Sequence, residues 1–415
     1  MLVPLAATDF QVSLLVFGAM LVGGALIFGL ARRSILSLTA LFLLTGFVLG
    51  DGGVDVLHFS ARSEFVGDLA TIALIVILFG DGLEVDAELL QKHWHLPFRK
   101  LVLAMPLTAA IIAIATRVLT GLSWTESFLL GALLSPTDPV LSASVVTNPR
   151  VPRIIRHSLN LESGLNDGLA LPAVVALAAA LAPSSSGFVW WRFLLEDLTI
   201  GLASGLVIGF AAALLLPREH GLGKEMPAFQ KSLYALGTAF VAYGVAVLPP
   251  HGNGLIAVYV AAITFGIRRP DIRSYYARQT ADLVEIVKLG IFVVFGSLLT
   301  IHGLFTDGWA AIGVVVVTLV IARPAAVFTA LIGTNTSTAT RAFMSWFGPK
   351  GVATITFSLL VLSQQIEAGP RIFNIAALTV FCSIIAHGLT DTPGVEWIAK
   401  RSGETRDARR DLAET

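Results

Sequence analysis

Thirteen times between residues 10 and 391 the chain returns to an apolar stretch long enough, or nearly so, to cross a bilayer. About 20 apolar residues span the hydrocarbon core as a helix. Read with that ruler, the stretches are 10–31, 34–50, 64–83, 100–119, 124–147, 158–182, 193–216, 231–248, 252–267, 281–301, 308–332, 341–364 and 371–391. The second and ninth are short. A backbone in lipid must satisfy its own polar groups, so thirteen such stretches leave room only for a helical bundle. The expected fold is an all-α polytopic membrane protein with about 13 transmembrane helices. Composition agrees: 13% of residues are charged against about 25% in soluble domains, and mean hydropathy is +0.80. Zero net charge gives no footing for nucleic acid. The first stretch lacks a basic flank and a cleavage site, so it reads as a retained span rather than a signal peptide. Cys382 stands alone and reads as a small packing residue.

Charge asymmetry tests the span count. Every second connection is basic: Arg32 and Arg33; Lys92, Arg99 and Lys100; Arg150, Arg153 and Arg156; Arg218, Lys224 and Lys231; Arg268, Arg269, Arg273 and Arg278; Arg341. The opposite set holds only Arg62, Arg117, Arg192 and Arg371. The positive-inside rule then puts the N-terminus outside and the C-terminus in the cytoplasm of a cell membrane. The last segment, 393–415, reads as a short, charged, solvated cytoplasmic tail, which leaves the chemistry to the membrane domain, 1–392.

Ionisable residues at depth are costly and mark ion or proton paths. The deep acids are Asp138, Glu162 and Asp167, and the deep cations are Lys288, Arg323 and Lys350. In "LESGLNDGLALP" a helix puts Ser163 and Asp167 on one face and Glu162 and Asn166 on another, each pair i,i+4. Hydroxyl plus carboxylate makes a hard oxygen ligand set for a small cation. Carboxylate plus amide suits a guanidinium, and Arg323, mid-span in "LVIARPAAV", is the candidate partner.

Pro136 and Pro139 flank Thr137 and Asp138 in the fifth span, and the helix is expected to break there. A second break is expected in the twelfth span, at Gly348, Pro349, Lys350 and Gly351. The two interrupted spans lie seven spans apart. An odd separation inverts the second copy, as in the inverted repeats of secondary transporters. The glycine stripe Gly201, Gly205 and Gly209 reads as helix packing. Asp81 and Glu84 read as solvated residues at the cytoplasmic end of the third span, with a vestibule role as the alternative, Glu285 and Lys288 as a pair or a snorkelling lysine, and His387 as a packing histidine.

"SPTDPV", "ESGLNDG", "ARP" and "GPKG", in this order, resemble the NhaP-type monovalent cation/proton antiporters, relatives of the eukaryotic sodium/proton exchangers. The resemblance covers nearly the whole span region. It implies Na⁺ or H⁺ held in turn at Asp167, with Asp138, Thr137 and Ser163 as the ion's other neighbours. It implies that Glu162, Asn166 and Arg323 lock the two repeats together, and that Lys350, where the family usually has arginine, compensates a helix break. It further implies a mobile core at about 100–182 and 308–391, a dimerisation scaffold at about 10–83 and 193–301, a homodimer, and no cofactor beyond the transported ions. A carboxylate that binds H⁺ or Na⁺, never both, couples the two by competition as the core rocks. Asn166, where electrogenic relatives carry a second acid, implies electroneutral exchange in the service of sodium transport and pH homeostasis. Li⁺ or K⁺ fits the same ligands. A cation channel and an intramembrane protease are the competing readings. The first would use filter loops or rings of acids, and the second lacks a paired catalytic acid or a Ser–His pair in the sequence.

Overall fold

The computed structural model describes residues 14–23, 26, 38–60, 63–85, 95–138, 143–183, 190–217, 226–249 and 251–414. Pro139 and the connection residues Arg32, Arg33, Arg62, Lys92, Arg218 and Lys224 lie outside them. Among the described residues every regular element is helical. The helices are α1 (Leu14–Gly23), α2 (Leu38–Leu49), α3 (Glu64–Glu84), α4 (His95–Thr120), α5 (Trp124–Leu134), α6 (Ala143–Thr147), α7 (Arg153–Leu181) and α8 (Trp190–Leu215). They continue as α9 (Ala228–Val247), α10 (Gly254–Arg268), α11 (Pro270–Gln279), α12 (Ala281–Ser297), α13 (Gly308–Ala330), α14 (Thr338–Trp346), α15 (Val352–Ser363) and α16 (Gly369–Glu414). Each of the thirteen apolar stretches contains a helix. Among the described residues, six helices are long and apolar enough to cross a membrane by themselves.

The spans fall into two packed groups. In one, α8 lies along α10, α10 along α3 and α9, and α2 along α12. In the other, α4 packs on α5 and α13, α5 on α7, and α15 on α16. The groups meet where α3 touches α7 and α15, where α10 touches α7, and where α12 touches α15. Small residues set the closest approaches, as they must where lipid supplies no hydrophobic drive. Gly201, Gly205 and Gly209 of α8 sit against the Asn253, Ala257 and Ala261 carbonyls opposite, where a Cβ would collide. Large apolar side chains such as Leu215, Val118 and Trp309 point outward, as a lipid-facing surface requires.

Wide π-type turns sit beside prolines in two spans, while a third, Leu194–Leu198 in α8, has no proline next to it. In α4 residues Lys100–Ala104 form a wide π-type turn, with Pro106 just beyond; in α13 Val317–Ala322 do the same before Pro324. Proline lacks the amide proton that would close an ordinary turn, and the wide turn absorbs the fault. These are the fourth and eleventh spans, one from each repeat.

The tail differs from its reading as a solvated strand of charge. Helix α16 runs unbroken through Pro393 for 46 residues, about 69 Å at 1.5 Å per residue. Val395 and Ile398, in the first turns beyond the span, are buried in a cluster with Phe343 and Phe347. Those apolar side chains gave the segment a packed face that its charge count hid.

Candidate ion site

The fifth and twelfth spans both break as their prolines require, and the two breaks cross. Helix α5 stops at Leu134 and α15 starts at Val352. The Asp138 amide donates to the Pro349 carbonyl at 2.8 Å, joining the two unwound segments. Each break then supplies the charge the other needs. The Val352 amide at the start of α15 donates to Asp138 Oδ2 at 2.8 Å. Lys350 Nζ donates to the Ser135 and Pro136 carbonyls at the end of α5, at 3.2 and 3.0 Å. A carboxylate thus meets the positive end of one half-helix and an ammonium the negative end of the other. The two glycines of "GPKG" make room for this. A Cβ on Gly351 would occupy the Asp138 carboxyl, and one on Gly348 the Arg323 guanidinium.

Helix α7 runs past the crossing. Arg323 Nη1 and Nη2 donate to Glu162 Oε1 and Oε2 at 2.8 and 3.2 Å, a bidentate pair. A second cation shares that carboxylate: Lys100 Nζ lies 2.5 Å from Glu162 Oε2. Lys100 is fully buried, Glu162 and Arg323 nearly so. Counting Lys100 as part of a basic connection therefore misplaced it. Helix α4 begins at His95, so Lys100 lies more than a turn inside. Pro97, a residue at home in a first helical turn, was the available signal.

Asn166 corrects the expectation that it faces Arg323. Its Nδ2 donates to the Thr137 carbonyl at 2.8 Å and to Thr137 Oγ1 at 2.9 Å. Ser163 Oγ donates to the same carbonyl at 3.2 Å. The broken helix leaves that carbonyl needing donors, while Arg323 Nη1 and Nη2 serve Glu162 and the Met344 carbonyl and its Nε has no partner among the described residues. The amide therefore fastens α7 to the break rather than to the guanidinium.

Asp167 is buried beside this fastening, 8% exposed. Its Oδ1 has no hydrogen-bond partner among the described residues. Buried acceptors without a protein donor mark strained, catalytic or ion- and water-binding positions. The Asp81 side chain, from the far end of α3, lies near enough to Asp167 for the two carboxyls to act on each other. Sequence alone put Asp81 at a solvated helix end; packing of α3 on α7 brings it to the site. Nothing local to "ILFGDGLEVD" signals that. From the other helix group, Tyr259 donates its hydroxyl to the Gly164 carbonyl at 3.0 Å.

A cavity of about 190 Å³ is lined by Asp81, Glu84, Arg273, Tyr276, Glu285 and Lys288, next to the basic connection around α11. At the opposite ends of the core helices, Arg371 donates to Asp307 and to the Thr120 carbonyl, tying α16, α13 and α4 together.

Two helix breaks that meet beside a buried carboxyl, on spans seven apart, are the architecture of secondary transporters. Residues 18–397 match the family described as "Sodium/hydrogen exchanger, transmembrane", and the chain belongs to that family. It is a multi-pass membrane protein. It is 26% identical over 367 residues to the K(+)/H(+) antiporter NhaP of Alkalimonas amylolytica, covering 86% of this chain and 62% of that one. Over 321 residues it is 26% identical to the Na(+)/H(+) antiporter 2 of Zygosaccharomyces rouxii, covering 72% of this chain and 39% of the relative. The chain spans less than two thirds of the length of these curated relatives. Its fold matches the sodium proton antiporter MjNhaP1 of Methanocaldococcus jannaschii, with a TM-score of 0.79 at 18% identity, over 94% of this chain and 100% of that one.

Proposed function

We propose that the chain exchanges a monovalent cation for protons across the cell membrane by alternating access, with Asp167 as the group at which the two compete. The observation that carries this reading is the unpartnered Asp167 oxygen, buried where the two half-helix breaks cross. A proton or a cation completes that carboxyl, and each excludes the other. Thr137, Ser163 and Asp138 stand around it as further oxygen ligands, direct or through water. Glu162, Arg323 and Lys100 hold the helices that carry them.

With the N-terminus outside and the C-terminus cytoplasmic, the cavity beside Asp81 faces the cytoplasm and the Arg371–Asp307 tie closes the outer side. The described state then faces inward. Exchange at 1:1, electroneutral, fits a site in which Asn166 adds no second titrating group. Na⁺ is the cation proposed. The names of the NhaP relatives favour K⁺ as the second reading. A homodimer built on α1–α3 and α8–α12 is part of the proposal.

The test is dissipation of a preset pH gradient in proteoliposomes on adding Na⁺, K⁺ or Li⁺ in turn, with the voltage free and then clamped. Saturable, cation-driven proton flux of one rate in both voltage conditions is expected. Proton flux absent for all three ions, or a channel-like ohmic current, overturns the reading.

A further inference from the structure

The access cavity holds a charge that the exchange mechanism does not use. Its polar lining has three acids, Asp81, Glu84 and Glu285, and two cations, Arg273 and Lys288. Arg273 is spent: its guanidinium donates to the Leu83 carbonyl at 3.1 Å and to the Glu84 carbonyl, pinned at the end of α3. Lys288 is different. Among the described residues it makes no hydrogen bond, and no acid lies within ion-pair distance, 4.0 Å, of its Nζ. Its charge nevertheless acts on Asp138 and Asp81, and on Asp167 beyond them.

The two deep lysines of the core are tied down. Lys100 is bound to Glu162, and Lys350 to the Ser135 and Pro136 carbonyls. Lys288 sits instead on α12, in the other helix group, on a flexible four-carbon stem that ends in a compact, strongly hydrated charge. It faces Asp81 and Glu84 of α3, in its own group, with Asp138 and Asp167 beyond them across the seam.

We infer that Lys288 is a specificity-determining residue: a tethered cation that competes with the incoming monovalent ion for the Asp81–Asp167 carboxyls and sets the exchanger's apparent cation affinity on the cavity side. This rests on the exchange reading above. An ammonium in this place partly neutralises the acids whenever the site is empty. The entering ion must displace that neutralisation, which weakens its binding. Because Lys288 and Asp81 share one helix group and Asp167 belongs to the other, the competition at Asp167 exists only while Asp167 faces them. Once the core has moved, the ion is held without it. The residue therefore makes affinity unequal on the two sides of the membrane.

The experiment uses everted membrane vesicles and proteoliposomes carrying the full chain, with Na⁺ or K⁺ titrated at the cavity face. Lys288→Met is expected to lower KM for the cation by about tenfold, the change that about 1.4 kcal/mol makes, with kcat within about twofold of the parent. Lys288→Arg, which keeps the charge, is expected to keep the parent KM. Cation-induced thermal stabilisation of the purified protein should shift to lower Na⁺ in Lys288→Met, by a similar factor. Lys288→Gln serves as the second neutral variant if the first folds poorly. Unchanged KM in the folded neutral variants, with the parent exchanging normally, overturns the inference alone. So does a loss of thermal stability with no change in KM, the mark of a purely structural lysine. A parent chain that exchanges no cation overturns the exchange reading and this inference with it.

Discussion

Glu162 and Asp167 sit five residues apart on α7, both buried, and they live in opposite circumstances. Both oxygens of Glu162 are held. Arg323 grips both oxygens and Lys100 holds one of them again, so two cations surround one acid. Asp167 has an oxygen with no partner and acids for neighbours. A saturated carboxylate cannot exchange ligands without first breaking strong bonds in a low dielectric, whereas an unsaturated one is ready for a ligand. Helical geometry produces the contrast: five residues turn the side chain by about 140°, from the seam with α4 and α13 to the seam with α3.

That contrast is sharpest in what each loss should do. Asp167→Asn should reduce cation-driven proton flux to the background of empty liposomes, while the protein elutes and melts like the parent. Flux within a few-fold of the parent would erase the difference between the two acids. Glu162→Gln should act the other way. It leaves Lys100 and Arg323 buried without their counter-charge, at a cost of about 3–5 kcal/mol, read as a lowered melting temperature in detergent. Adding Lys100→Met should recover part of that loss, because one of the stranded cations goes with it. An unaltered melt in Glu162→Gln would mean the cluster is not a fastening at all. Asn166→Ala should have the smallest effect. It strips donors from the Thr137 carbonyl, worth about 1–3 kcal/mol, and should slow exchange without abolishing it. Ser163 still serves that carbonyl, so a complete loss of flux would move Asn166 to the side of Asp167.

Much of this was legible before any coordinates. Apolar length gave the spans, since lipid admits little else. Pro136 and the Gly348–Pro349 pair marked the breaks, because a missing amide proton cannot be hidden in a membrane. The spacing of Glu162 and the depth of Arg323 pointed to their contact. What stayed hidden depended on tertiary placement. Lys100 looked like one more cytoplasmic charge, because counting charges at span ends cannot see which of them turns inward. Asp81 looked like a helix terminus, because only the packing of α3 against α7 carries it to Asp167. Asn166 was given the right helix and the wrong partner. The competition for its amide was settled by a freed carbonyl on another span, which no face of α7 reveals.

The crossing of the two breaks has a consequence for how the chain is made. Until Lys350 has been synthesised and inserted, the Ser135 and Pro136 carbonyls lack its ammonium, and until Val352 arrives Asp138 has no helix start to cap. The first half of the core therefore cannot finish on its own. It must wait at the translocon or in the bilayer, its broken span incomplete, for more than two hundred further residues to emerge. The contacts at the crossing therefore join parts of the chain made far apart in time, and neither break is completed by its own half.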